Sequence, residues 1–148
     1  TAQWQTRMAG EIEALHVATA TAAHGGKAAM GQSDYGWAGS EIKKQYQYLR
    51  AFAADIESGR QLPNGTLASR SELYAHAARQ TYEHMRGRDH GDAGFDRERN
   101  VLGPAEHCPG CLMASSAGWV MIGSLPPPCS RDCRSRCHCF LEYERDAA

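Results

Sequence analysis

Apolar residues recur at intervals of three and four along the first part of the chain, and that period then fades. Trp4, Met8, Ile12, Leu15, Ala18 and Ala22 fall on one helical face, and the alanines between them favour helix. They predict a first helix from about Ala2 to Ala23, stopped at Gly25-Gly26. The stretch from Gly31 to Gly39 mixes turn formers with two aromatics and keeps neither period, which predicts a loop whose Tyr35 and Trp37 dock on a neighbouring surface. Ser40 offers an N-cap for a second helix, in which Ile42, Tyr46, Leu49, Phe52, Ala53 and Ile56 share a face until Gly59. Pro63-Asn64-Gly65 is a turn. Ser69 to Glu72 reads as a capping box for a third helix, although Thr66 is a possible start one turn earlier. Leu73, Tyr74, Ala77, Ala78, Thr81 and Met85 form its inner face, and Gly87 is the natural stop.

Beyond that point the pattern changes character. Gly87 to Asn100 is charged and punctuated by glycine, and predicts a loop in which Asp89, His90 and Asp92 are solvated rather than gathered on a cation. Gly118 to Gly123 and Cys139 to Glu144 read as two short strands paired antiparallel, joined through the stiff Pro126-Pro127-Pro128. The expected fold is therefore mainly α. A helical body of about three helices over residues 1–100 is followed, over residues 101–148, by a cysteine-rich, zinc-ribbon-like β-hairpin acting as a metal-binding knuckle.

A chain of 148 residues with 42% hydrophobic content can bury one modest core. Its 16 basic and 17 acidic residues are evenly mixed along it, so the electrostatic footprint of a dedicated nucleic-acid binder is missing. No apolar run is long enough for a membrane span, and the first residues lack a basic start followed by an apolar block, so a soluble, non-secreted protein is expected. The chain begins at Thr1, which suits a processed polypeptide or a piece of a longer one.

All six cysteines lie between Cys108 and Cys139. A Cys-x-x-Cys turn brings two thiolates onto one ion, and a second cluster downstream supplies the other corners of the tetrahedron that Zn2+ prefers. The candidate ligands are Cys108, Cys111, Cys133, Cys137 and Cys139, with Cys129, His107 and His138 competing for the same corners. Three disulfides are the alternative, with fifteen pairings open. Two features favour metal. Cys108 and Cys111 are too close to pair except as a redox dithiol, and Cys137-His138-Cys139 places alternate thiols on one face of an extended segment.

Cys108-Pro-Gly-Cys111-Leu, then Gly118-Trp119, a proline-rich loop and Cys133-x-x-x-Cys137-x-Cys139, preceded by Tyr74-Ala75-x-Ala77-Ala78-Arg79, resembles the phage minor head proteins of the Mu F-like head-morphogenesis family. Those proteins commonly end in a Cys-x-x-Cys plus Cys-x-Cys knuckle. The matching positions are Cys108, Cys111, Cys137 and Cys139, with Cys133 added, and Cys129 has no place in the pattern. The resemblance implies a non-enzymatic virion component of the bacteriophage head, near the portal or inside the head, that acts in head assembly and DNA packaging or ejection, as a homo-oligomer or in repeated copies, and is found in the host cytoplasm during assembly. It would contact the portal or major capsid protein, with packaged DNA a further contact and no membrane partner. Trp4, Tyr35 and Trp37 are the natural contact residues.

Three rival activities follow from the same cysteines. A zinc deaminase needs Pro-Cys-x-x-Cys and His-x-Glu; here Cys129 to Cys133 is one residue too wide, and no histidine is followed two positions later by glutamate. A redox role needs the Cys108-Cys111 pair at a helix start after a strand, in a thioredoxin-like alternation. A nucleic-acid-binding knuckle would use Arg131, Arg134 and Arg136 on phosphates, although those arginines can equally offset metal thiolates.

Overall fold

The computed structural model describes residues 1–146. The chain is mainly helical, with a small antiparallel sheet near its C-terminus. By packing it divides into Thr1–Thr81 and a second unit from Tyr82 onward, so the division falls inside a helix and not at residue 100, where the composition changes.

The first unit holds α1 (Ala2–Ala23), α2 (Gln32–Glu57) and the opening turns of α3 (Gly65–Asp92). Helix α1 has the expected bounds. The Gly26 amide returns to the Thr21 carbonyl (2.9 Å), and Gly25 and Gly26 adopt the positive φ that L-residues avoid, so the chain turns there. Ile12, Leu49, Phe52 and Tyr74 form the buried cluster, with Trp4, Met8, Tyr46, Ile56 and Leu67 packed against it. Trp4, half-buried, meets Phe52 edge-on at 5.2 Å and packs against this cluster. Burying a side chain the size of Phe52 is worth about 1.5–3 kcal/mol.

Helix α2 starts at Gln32, eight residues before Ser40, so the expected loop from Gly31 to Gly39 is helical. The Asp34 carboxylate accepts the Gly31 amide (2.8 Å) and lies 3.3 Å from His24 Nε2. That cap, with Ala38 fully buried, outweighs the helix-weakening glycines; Ser40 is interior and donates to the Trp37 carbonyl (2.6 Å). Helix α3 likewise starts at Gly65 rather than at Ser69. Asn64 Oδ1 accepts the Thr66 amide (3.0 Å), the bond an N-cap side chain makes.

Helix α3 also runs on past Gly87 to Asp92. In the second unit Tyr143 rests on this turn, its hydroxyl 3.5 Å from where a Gly87 Cβ would stand, and its ring stacks on His90 at 4.1 Å. His90 is thus a packing residue, and its Nδ1 lies 2.7 Å from the Arg86 carbonyl.

The larger departure is β1 (Arg97–Val101), which occupies the centre of the sheet although its residues read as loop. The order is β2-β1-β3, with β2 (Val120–Met121) and β3 (Phe140–Glu144) both antiparallel to β1. The predicted strands exist, but they flank β1 instead of pairing as a hairpin. On the outer face Arg99 meets Glu142 (2.7 Å) and Arg97 meets Glu144 (3.3 Å), each pair in direct cross-strand register. On the inner face Glu98 and Asn100 are buried. Glu98 Oε1 accepts the Leu125 amide (2.8 Å), so the inward positions carry hydrogen bonds where a hydrophobic alternation would have announced a strand. No helix among the described residues is long and apolar enough to cross a membrane.

Two expectations follow. His16 is fully buried, with Nδ1 2.8 Å from Thr81 Oγ1 and no partner for Nε2 among the described residues. Burial lowers its pKa from 6.5 more than Glu41 raises it. The folded state therefore disfavours the charged ring, so its contribution is full above about pH 6.5 and declines as the pH falls below it. Melting followed by circular dichroism should show a falling Tm between neutral and mildly acid pH, and His16→Gln should flatten that slope. Gly87→Ala should raise stability by about 0.5–1 kcal/mol in urea unfolding, since the added methyl meets Tyr143 only at ordinary contact distance. A loss would show that the phenol cannot share that space.

Candidate metal centre

The cysteine segment comes together at the end of β1 farther from α3. Cys108 is the N-cap of α4 (Pro109–Ser116), an eight-residue helix that sequence periodicity is too short to reveal, and Pro109 sits in its first turn where no amide partner is needed. The Cys108 carbonyl accepts the amides of Cys111 (2.9 Å) and Leu112 (3.1 Å), so one turn of helix sets the two sulfurs side by side. The second group enters through a 3-10 turn (Arg134–Arg136) that leaves Cys133 at its start and Cys137 at its end.

The sulfurs converge on Cys111. Its Sγ lies 3.5 Å from Cys108, 3.3 Å from Cys133 and 3.9 Å from Cys137. Cys108, Cys111 and Cys133 form one group with ligand atoms within 4.8 Å of one another, and Cys111, Cys137 and Cys139 form a second. Sulfurs bound at about 2.3 Å to a tetrahedral ion stand about 3.8 Å apart, so these groups can hold a metal ion. All five expected ligands are here. Of the competitors, His107 Nδ1 lies 3.9 Å from Cys139 Sγ. Cys129 is buried in the same cluster, with a left-handed φ of 68°, while His138 is exposed. The six cysteines stand as thiols rather than disulfides.

Their electrostatics are those of groups crowded too closely to ionise together. Burial pushes the Cys111 thiol up to about 11, with Cys108 and Cys139 adding to the shift and Arg131 and Cys133 opposing it. Burial and the neighbouring sulfurs push Cys133 up as well. Cys108 goes the other way. Burial raises it, but the main-chain amides of Cys111 and Cys133 and their thiols bring it down to about 7. Cys137 is also lowered, its burial outweighed by the amides of Cys129 and Cys139 and by the thiols of Cys133 and Cys111. A dication placed among them removes the conflict, because thiolates are its ligands.

Three residues that the cysteine spacing does not point to complete the centre. Arg131 is buried, its guanidinium 3.7 Å from Cys111 Sγ, 2.8 Å from Asn100 Oδ1 and 2.6 Å from the Pro126 carbonyl. Asn100 in turn donates to the Cys111 carbonyl at 3.5 Å. Of the three arginines considered for phosphates, Arg131 is thus committed to sulfur, whereas Arg134 and Arg136 are exposed. Gly103 is the third: a Cβ there would overlap the His138 carbonyl, so only glycine lets the chain leaving β1 pass the Cys137–Cys139 segment.

The segment before the Cys-x-x-Cys does include a strand, and the motif does open a helix, two conditions a redox dithiol requires. The sheet is nevertheless antiparallel throughout, and three further sulfurs crowd the pair, neither of which belongs to a thioredoxin-like alternation. No protein-family model, curated protein or solved structure matches the chain.

Gly103→Ala should cost about 1–3 kcal/mol in urea unfolding through overpacking of the two crossing segments. An unchanged midpoint would mean that the cysteine segments do not pass each other there.

Proposed function

We propose that the chain is a non-enzymatic structural protein of the bacteriophage virion, a minor head or portal-associated component, whose C-terminal unit is held by structural zinc. The observation that carries the zinc reading is the convergence of five sulfurs, from two segments separated in sequence, on Cys111 at distances of 3.3–3.9 Å for its nearest neighbours. Soft thiolates select zinc, copper(I) or iron clusters, and a sulfur-filled site with no vacant corner suits zinc as a structural ion. A small sheet with a polar inner face gains from the ion the stability that apolar burial does not provide.

The head-assembly role is supported by the order of motifs: the alanine-rich helix with Tyr74 and Arg79, Cys108-Pro-Gly-Cys111, Gly118-Trp119, the prolines, and Cys137-x-Cys139. In that role the chain works by protein contacts with the portal or major capsid protein, in repeated copies, during assembly in the host cytoplasm and afterwards in the head, close to packaged DNA. The exposed Tyr35 and half-buried Trp37 on the first turns of α2 are the aromatic contacts offered to such a partner.

Chain purified without added metal should contain zinc, and a chelator with a thiol reagent should release it with loss of the strand signal in circular dichroism. In cells producing the phage that encodes it, a tagged chain should sediment with heads, and Cys111→Ser should lower the yield of DNA-filled heads. Metal-free protein with paired sulfurs would overturn the first part, and a chain found only in the supernatant would overturn the second.

A further inference from the structure

We propose that the centre binds two ions rather than one, with Cys111 and Cys137 as bridging thiolates, an inference that rests on the zinc reading above. The two sulfur groups are distinct and share Cys111 as their common member. Cys137 also touches both, lying 3.9 Å from Cys111 and hydrogen-bonded to the Cys133 thiol. One ion then takes Cys108, Cys133 and Cys111, with Cys137, which lies outside that 4.8 Å group, turning in as the fourth ligand. The other takes Cys111, Cys137 and Cys139, with His107, outside that 4.8 Å group but with its Nδ1 3.9 Å from the Cys139 sulfur, turning in as the fourth ligand. Each ion then has four ligands, and of the buried cluster only the Cys129 thiol stays outside both sets.

Charge supports the same count. A single dication has room for four thiolates, which leaves the fifth sulfur as a buried thiol pressed against them. Five thiolates and a neutral imidazole around two dications leave one negative charge, and one guanidinium is buried there to meet it. Arg131 makes that contact at Cys111, the sulfur common to both groups. On loading, the five thiols release their protons to solvent as the ions shed water. Cys129 enters through its main chain, whose amide donates to the Cys137 sulfur.

The test is metal stoichiometry on the full chain, by elemental analysis and native mass spectrometry after dialysis against zinc. Two zinc ions per chain are expected. After replacement by isotopic cadmium, NMR should give two metal resonances, each split by the other through the bridging sulfurs. One ion per chain would overturn the two-ion centre and leave the structural-zinc reading standing, no ion would overturn both, and bound iron with visible absorption would overturn both as well. His107→Ala should surrender one ion at a chelator concentration about ten-fold or more below that needed for the native chain, and His107→Cys should restore resistance. Native chelator resistance in His107→Ala would remove that side chain from the centre, and with it the second tetrahedron.

Discussion

The C-terminal unit depends on one buried contact, the Arg131 guanidinium lying between Asn100 and the Cys111 sulfur. Arg131 belongs to the second cysteine segment, Asn100 to the central strand and Cys111 to the short helix, so three separately folded pieces meet at one cation. A buried charge is tolerated only when its partners are in place, which makes the assembly of these pieces all-or-none. The Pro126 carbonyl closes the remaining side, so the proline stretch is tied in as well. Its Nε is already buried without a partner among the described residues, so loss of any one of these contacts adds to the unmet donors.

The two units are held by different physics. In Thr1–Thr81, aromatic and aliphatic side chains from three helices fill one cluster, and the polar exceptions are local: the Asp34 cap and the His16–Thr81 pair. In the second unit the sheet turns Glu98 and Asn100 inward, and the most deeply buried side chains are largely sulfur. Its stability must come from directed bonds, and the crowded cysteines are part of that interior.

What could be read in the sequence follows that contrast. Where burial is apolar and periodic the reading held for the bounds of α1, the inner face of α2, that of α3 apart from the exposed Leu73, and the existence of both outer strands, whereas on α1 the expected Leu15 and Ala18 are exposed and His16 and Ala20 are buried instead. Glycine misled it twice, because Gly31, Gly36 and Gly39 looked like a loop and Gly87 like a stop, whereas capping by Asp34 and packing by Ala38 and Tyr143 decide those turns. The strand β1 was invisible for a deeper reason. Its buried positions are Glu98 and Asn100, chosen for hydrogen bonds that only the folded partners define. In the site, cysteine spacing revealed all five sulfurs that gather, since ligand spacing is a local property. Arg131 was noticed but its burial was not, and Asn100 and Gly103 act across long separations that no local pattern records.

The strand order carries a consequence for how the protein is made. Because β1 is central, it first finds β2, about twenty residues downstream, and waits for β3, some forty residues away, to cover its other side. On the ribosome the early cysteine pair emerges well before its partners, so for that interval it is a bare dithiol open to passing metals and oxidants. The strand β3, the last of the three to be synthesised, acts as the latch, and slow non-local closure of this kind is where folding time and misfolding risk concentrate.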